Sequence, residues 1–167
     1  MLGLLNIGLG GVFGSILAAG EEFGWRGYLL PRLMGARISA PIFWSGVIWG
    51  VWHVPLIAFG DYATSSRPLV SVVLFLLVVC VAAHFAAWLR LASGSVWPAV
   101  VFHAIHNATY QGVFDPWFNG RNEPYLAGEA GVFSILAYSI AVFVLWRRGG
   151  FDSASIQRPE NELATSE

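Results

Sequence analysis

Long apolar segments constrain the fold of this chain more than any other feature. Apolar residues make up 56% of the sequence and charged residues only 11%, whereas ordinary soluble domains carry about 25% charge. A membrane-spanning helix needs about 20 predominantly apolar residues. Five segments reach or approach that length, at 2–30, 42–59, 69–89, 96–114 and 131–146. The sequence therefore predicts an all-α fold, a polytopic transmembrane helical bundle of about five spanning helices in the lipid bilayer.

Arginines between the apolar segments predict how the bundle is oriented. They follow the first, third and fifth segments, at Arg32, Arg37, Arg90, Arg147 and Arg148. Basic links of membrane proteins face the cytoplasm. We therefore expect a multi-pass protein of the cell membrane with these three ends inside.

The domain organisation and the excluded partners also follow from composition. Residues 1–148 are predicted to form one transmembrane domain, and the polar residues 149–167 a disordered cytoplasmic tail. Pro31 is expected to end the first helix, because proline disfavours helical geometry in the residue before it. A net charge of −1 without a basic patch excludes nucleic acid as a partner. The single cysteine, Cys80, excludes a disulfide framework.

Two adjacent glutamates, Glu21 and Glu22, follow an uncharged run in the first segment, and Arg26 lies one turn later. A carboxylate in hydrocarbon costs on the order of 2.5 kcal/mol or more, so intramembrane charges face a bundle interior and are functional by default. Glu22 and Arg26 are four residues apart and can pair on one helix face. An ion pair that only fixes packing explains these two residues but leaves Glu21 without a role.

Two other segments contribute polar side chains at a similar depth. His53 is the only ionisable residue of the second segment, and His103 and Asn107 share a face of the fourth. At about 1.5 Å per residue from the inferred cytoplasmic ends, Glu21, His53 and Asn107 lie about 15 Å deep and His103 about 10 Å. A common depth on three helices predicts one shared site on the cytoplasmic side. Two further histidines are interpreted as structural, His84 and His106.

The polar residues resemble three motifs of one family, the CPBP family. The motifs are Glu21-Glu22-x-x-x-Arg26, Trp49-x-x-x-His53 and His103-x-x-x-Asn107. The family comprises the CAAX-processing type II prenyl endopeptidases and the bacteriocin-processing or self-immunity proteins, also called Abi proteins. The resemblance covers roughly residues 18–110, and the string EEFGWRGYLLPRL is very similar to bacterial members. Trp49 stands where the family usually has phenylalanine.

This resemblance implies an intramembrane endopeptidase and permits either a glutamic or a metal-dependent mechanism. We expect the glutamic mechanism without a cofactor, because a zinc site would not by itself need the paired Glu22 and Arg26. Glu21, assisted by His53, would activate a water molecule, and His103 and Asn107 would stabilise the oxyanion. In the same reading, Glu22 and Arg26 hold the geometry of the site. The implied substrate is a membrane-associated peptide or protein, with prenylated CAAX proteins among the candidates.

Two alternatives stay open at this point. Glu21, His53 and His103 include the ligand types of a catalytic zinc site, although the His-Glu-x-x-His helix of many zinc proteases is missing. A metalloprotease using the same residues is therefore the second hypothesis. A non-enzymatic self-immunity or scaffold protein is the third, since the family includes such members.

Overall fold

The chain folds as a helical bundle, which confirms the predicted fold class. The computed structural model describes residues 2–59, 67–114 and 124–152, with side chains from residue 10 onward except that of residue 124, and this part of the chain contains no strand. The helices are α1 (Leu2–Glu22), α2 (Leu30–Gly35), α3 (Pro41–Ala58), α4 (Pro68–Ser93), α5 (Trp97–Thr109), α6 (Pro124–Ala127) and α7 (Val132–Arg147).

Two π-helical segments extend α1 and α5. Phe23–Leu29 joins α1 to α2, and Tyr110–Phe114 follows α5. Each begins within three residues of a predicted site residue, Glu22 or Asn107. Single π-helical turns occur frequently at functional sites. The two segments therefore mark the neighbourhoods of Glu22 and Asn107 as candidate functional regions.

The prediction that Pro31 ends the first helix is wrong. The chain stays helical through Pro31 and continues as α2 to Gly35. Pro31 lies in the first turn of α2, where a proline is tolerated because the backbone N–H at that position would have no partner within its own helix. The π-helical segment Phe23–Leu29 directly precedes this turn.

Three helical segments in the described part of the chain are long and apolar enough to cross a membrane: Pro41–Ala58, Pro68–Ser93 and Tyr125–Arg147, the last of which combines most of α6, the turn after it and α7. They correspond to the second, third and fifth predicted spans. The first and fourth spans are composite, each an α-helix continued by a π-helical segment. On α1, four apolar side chains are at least 67% exposed, which is a surface suited to lipid: Val12, Phe13, Ile16 and Leu17.

Helix α3 packs closely against α4 through two glycines. A Cβ atom on Gly46 would lie 2.9 Å from Ala83 Cβ and 3.1 Å from Cys80 Cα. On Gly50 it would lie 2.8 Å from Leu76 Cδ2. Small residues let helix backbones approach in this way. The contact places the part of α3 that carries Trp49 and His53 beside α4. Helix α1 packs on α5.

Residues 149–152 close the described part of the chain as a turn. The Gly150 amide donates to the Leu145 carbonyl at 2.9 Å, and the Phe151 ring lies 6.4 Å from the ring of His84. Residues 153–167 lie outside the described residues, so the predicted disordered tail stays a prediction.

Candidate active site

A cavity of about 70 Å³ lies among α1, α3, α4, α5 and the turn before α7. One water molecule needs about 10–15 Å³ of such space, so the cavity has room for several. Four of the six predicted site residues lie on its wall: Glu21, His53, His103 and Asn107. The other two, Glu22 and Arg26, are 0% and 1% exposed and are not part of that wall. The structure therefore brings site residues from three separate helices together at one cavity that can hold several water molecules.

Glu22 holds two positively polarised partners in the protein interior. Arg26 Nη1 donates to Glu22 Oε1 at 2.8 Å, and His103 Nδ1 contacts the same oxygen at 2.9 Å. A carboxylate only accepts hydrogen bonds when ionised, so His103 carries its proton on Nδ1. Glu22 thus orients a cavity residue on α5 while its own charge is paired with Arg26.

Glu21 has a different environment from its neighbour in sequence. Its Oε2 accepts hydrogen bonds from two neutral donors, Trp49 Nε1 at 2.9 Å and Trp25 Nε1 at 3.3 Å. Two adjacent carboxylates are therefore held by different chemistry, Glu22 by a guanidinium and an imidazole and Glu21 by indoles. Such a contrast between paired carboxylates is typical of sites that assign them separate roles.

Trp49 contacts Glu21 and both partners of Glu22, a role that sequence reasoning missed. Its N–H reaches Glu21, while its ring lies 4.1 Å from the Arg26 guanidinium carbon and contacts the His103 ring edge-on at 5.3 Å. The signal was present, because a buried tryptophan usually needs a hydrogen-bond partner for its N–H. Phenylalanine at this position would keep the packing and lose the donor.

His53 is buried and held in one tautomer. Its Nδ1 lies 2.9 Å from the Trp49 carbonyl oxygen, which can only accept, so Nδ1 carries the proton. In a neutral ring Nε2 is then an acceptor. The ring packs between Trp52 and Phe75, with centroid distances of 4.8 and 4.9 Å. A neutral His53 is therefore held in the tautomer whose Nε2 can accept a proton.

A second, open space also borders Glu21. This lateral groove measures about 430 Å³ and runs along the first π-helical segment and α3. Its walls include Trp25, Tyr28 and Trp52, of which Tyr28 and Trp52 are 63% and 52% exposed. Glu21 thus lies on both the groove and the inner cavity.

One known protein family matches most of the described chain, including the residues of this site. The family model described as type II CAAX prenyl endopeptidase, Rce1-like, matches residues 3–109. The chain belongs to this Rce1-like family. The matched range includes all six predicted site residues, and membership confirms the resemblance to CAAX-processing proteases that the three motifs indicated. No curated protein and no solved structure matches the chain.

The Rce1-like chain has a second polar group on the same cavity wall, formed by His106, Gln111 and Glu129. His106, interpreted from the sequence as structural, lines the cavity, whereas His84 bonds the Cys80 carbonyl of its own helix at 2.7 Å. Glu129, which the sequence analysis did not single out, is only 7% exposed. The only sequence signal was a carboxylate just before the last apolar segment.

The zinc alternative stays a hypothesis for this Rce1-like chain. In residues 2–59, 67–114 and 124–152, no three histidine, cysteine, aspartate or glutamate side chains gather as metal ligands. Zinc sites of enzymes use three protein ligands and one open position.

Proposed function

We propose that this Rce1-like protease hydrolyses a peptide bond of a membrane-associated substrate with a water molecule activated by Glu21. The observation that carries the proposal is the position of Glu21, which borders the water-sized cavity and the groove at once. A general base must lie within hydrogen-bond reach of its proton, directly or through one water. Among the described residues, no other carboxylate borders both the cavity and the groove.

Glu21 and His53 act together on the water. Glu21 removes one proton as the water oxygen attacks the carbonyl carbon, forming the new C–O bond. The carbonyl π electrons move onto oxygen and give the tetrahedral oxyanion. When this intermediate collapses, the C–N bond breaks and the proton held by Glu21 passes to the leaving amine. His53 Nε2 accepts a hydrogen bond from the water and keeps it aligned.

Asn107 and His103 stabilise the oxyanion. The Asn107 amide is a neutral donor, and preorganised donors aimed at developing charge are usually the largest single contribution to catalysis. His103 already donates from Nδ1 to Glu22 at 2.9 Å. Its Nε2 donates as well only when the ring is an imidazolium. Glu22 accepts the Nδ1 proton of His103 and so orients the ring, which gives the buried glutamate an indirect part in the reaction.

The groove is the route by which a substrate reaches Glu21 from the bilayer. Its exposed aromatic walls suit an apolar chain lying in the membrane. Prenylated CAAX peptides and unmodified apolar peptides are the two substrate classes that this surface accommodates.

The mechanism is metal-free. Two indole N–H groups hold one oxygen of Glu21, which orients the carboxylate as a base. In the neutral ring of His53, Nε2 then accepts a hydrogen bond from the water.

The protein lies in the cell membrane with the catalytic cavity toward the cytoplasm. The supporting arginines lie near three helix ends: Arg32 and Arg37 in or just after α2, Arg90 near the end of α4, and Arg147 and Arg148 at the end of α7.

In a variant whose Cys80 is replaced by serine, single cysteines at positions 37 and 119 test this topology. A membrane-impermeant thiol reagent added outside cells should label position 119 and not position 37. The reverse pattern would overturn the orientation.

A panel of peptides tests the function. Protein reconstituted in liposomes should cleave at least one member of a panel of prenylated and unprenylated C-terminal peptides, as read by mass spectrometry. Glu21→Ala protein should cleave none of them. Activity should persist in the presence of a zinc chelator, and purified active protein should contain less than stoichiometric metal. Cleavage lost with chelator and restored by zinc would replace the metal-free mechanism by the metal-dependent one.

A further inference from the structure

His106 is the centre of a buried hydrogen-bonded chain. The Tyr138 hydroxyl lies 2.5 Å from His106 Nδ1, and Glu129 Oε1 lies 3.3 Å from His106 Nε2. Gln111 Nε2 donates to the second Glu129 oxygen at 3.4 Å. These hydrogen bonds connect α5 and the second π-helical segment to α7 and to the turn before α7.

The direction of the chain follows from Glu129. An ionised carboxylate only accepts, so His106 carries a proton on Nε2 and donates it to Glu129. In the neutral ring Nδ1 is then an acceptor, and the Tyr138 hydroxyl donates to it. The order Tyr138 to His106 to Glu129 leaves each of these contacts with one donor and one acceptor.

The turn that carries Glu129 is tightly closed. The Gly131 amide donates to the Gly128 carbonyl at 2.8 Å, and the buried Ser134 hydroxyl donates to the same carbonyl at 3.0 Å. A Cβ atom on Gly131 would lie 2.6 Å from the Leu126 carbonyl oxygen. The backbone therefore holds Glu129 at a fixed place against the cavity.

This chain adjoins the oxyanion side of the proposed site. His106 precedes Asn107 directly and lies three residues after His103, and all three line the cavity. Tyr138 and Glu129 lie beyond residue 109, where the family match ends. The last helix thus reaches the cavity through a contact that the matched region does not contain.

We propose that Tyr138 and Glu129 are positioning residues, which fix His106 as its Nε2–H tautomer and thereby fix the turn of α5 that presents His103 and Asn107 to the cavity. The catalytic consequence rests on the proposed function. The hydrogen-bonded chain and its effect on Asn107 do not, because both are measurable without turnover.

The geometry of α5 explains why such a support is useful. Helix α5 is only 13 residues long and passes into a π-helical segment at Tyr110. Hydrogen bonds within a helix do not fix its rotation about its own axis, which depends on the contacts with neighbouring helices. Helix α5 packs on α1, and the buried contact of His106 with Tyr138 of α7 adds a directional constraint at the residue beside Asn107.

Tyr138→Phe tests the proposal, with Tyr110→Phe as the matched control. The Tyr110 ring also lies against His106, at 4.7 Å between centroids, but among the described contacts only Tyr138 offers its hydroxyl to that imidazole. Protein labelled with ¹⁵N-histidine and ¹⁵N-asparagine in nanodiscs should show the Nε2–H tautomer of His106. Tyr138→Phe should shift the His106 Nδ1 and Asn107 side-chain signals, while Tyr110→Phe should leave the Asn107 signal in place.

Kinetics give the second readout. Tyr138→Phe should lower kcat about tenfold, the effect of losing one buried hydrogen bond, with KM changed less than about twofold. Glu129→Gln should disturb the same two NMR signals, so a failure of one variant to fold still leaves a test. An Nδ1–H tautomer or an imidazolium at His106, or an unmoved Asn107 signal in Tyr138→Phe, would overturn the proposal. If the wild type cleaves no peptide, the proposed function fails and the NMR signals alone decide the positioning role.

Discussion

Glu21→Gln is expected to abolish proteolysis while leaving the protein folded and able to bind substrate. An amide cannot take a proton from water, and loss of a general base lowers the rate by about 10²–10⁴-fold. The amide oxygen can still accept the N–H groups of Trp49 and Trp25, so the local structure should persist. The measurements are kcat/KM on a peptide that the wild type cleaves, the thermal unfolding midpoint and peptide binding by fluorescence anisotropy.

A graded variant separates the charge of Glu21 from its orientation. Trp49→Phe removes the 2.9 Å hydrogen bond to Glu21 but keeps an aromatic ring over Arg26. It should lower kcat by about tenfold, which one hydrogen bond to a charged group accounts for. Trp44→Phe is the control on the same helix, because Trp44 is 46% exposed and borders neither the cavity nor the groove. Near-full proteolysis by Glu21→Gln would remove Glu21 from the mechanism, and cellular function kept without proteolysis would favour the scaffold hypothesis.

The three motifs were predictable because charge in an apolar segment is expensive. Glu21, Glu22 and Arg26 in a spanning segment required an interior position, and the spacing of four residues predicted the Glu22–Arg26 pair that the structure contains. The histidines followed from depth along straight helices. Each of these inferences needs only local spacing and the thickness of a membrane.

The second polar group was not predictable in the same way. His106 and Glu129 are 23 residues apart and His106 and Tyr138 are 32 apart, so their contact depends on how α7 packs, which spacing does not encode. Likewise the close approach of α3 and α4 at Gly46 depends on the rotation of both helices. The helix also continues through Pro31 against a local rule, because this proline lies in the first turn of α2.

Glu22→Gln should destabilise the protein, in contrast to the same change one residue earlier. Arg26 is 1% exposed and donates to Glu22 at 2.8 Å. Removing one partner of a buried ion pair leaves a buried charge uncompensated and costs about 3–5 kcal/mol. Glu21 also acts electrostatically on Arg26, so the lower end of that range is expected. Thermal unfolding of both glutamine variants in the same detergent measures the difference, and Glu21→Gln should stay close to the wild type.

The double variant Glu22→Gln with Arg26→Met shows whether the lost stability comes from the unpaired charge. Replacing a buried ion pair by uncharged groups of similar volume is often neutral or stabilising, so the double variant should recover most of the lost stability. It should not recover activity, because an amide then replaces the carboxylate that accepts the His103 Nδ1 proton at 2.9 Å, and the orientation of His103 is no longer fixed. Recovery of stability without turnover would separate the two tasks of Glu22, pairing Arg26 and orienting His103. A stable Glu22→Gln protein that lacks activity, beside an active Glu21→Gln protein, would mean that Glu22 is the base and Glu21 its support.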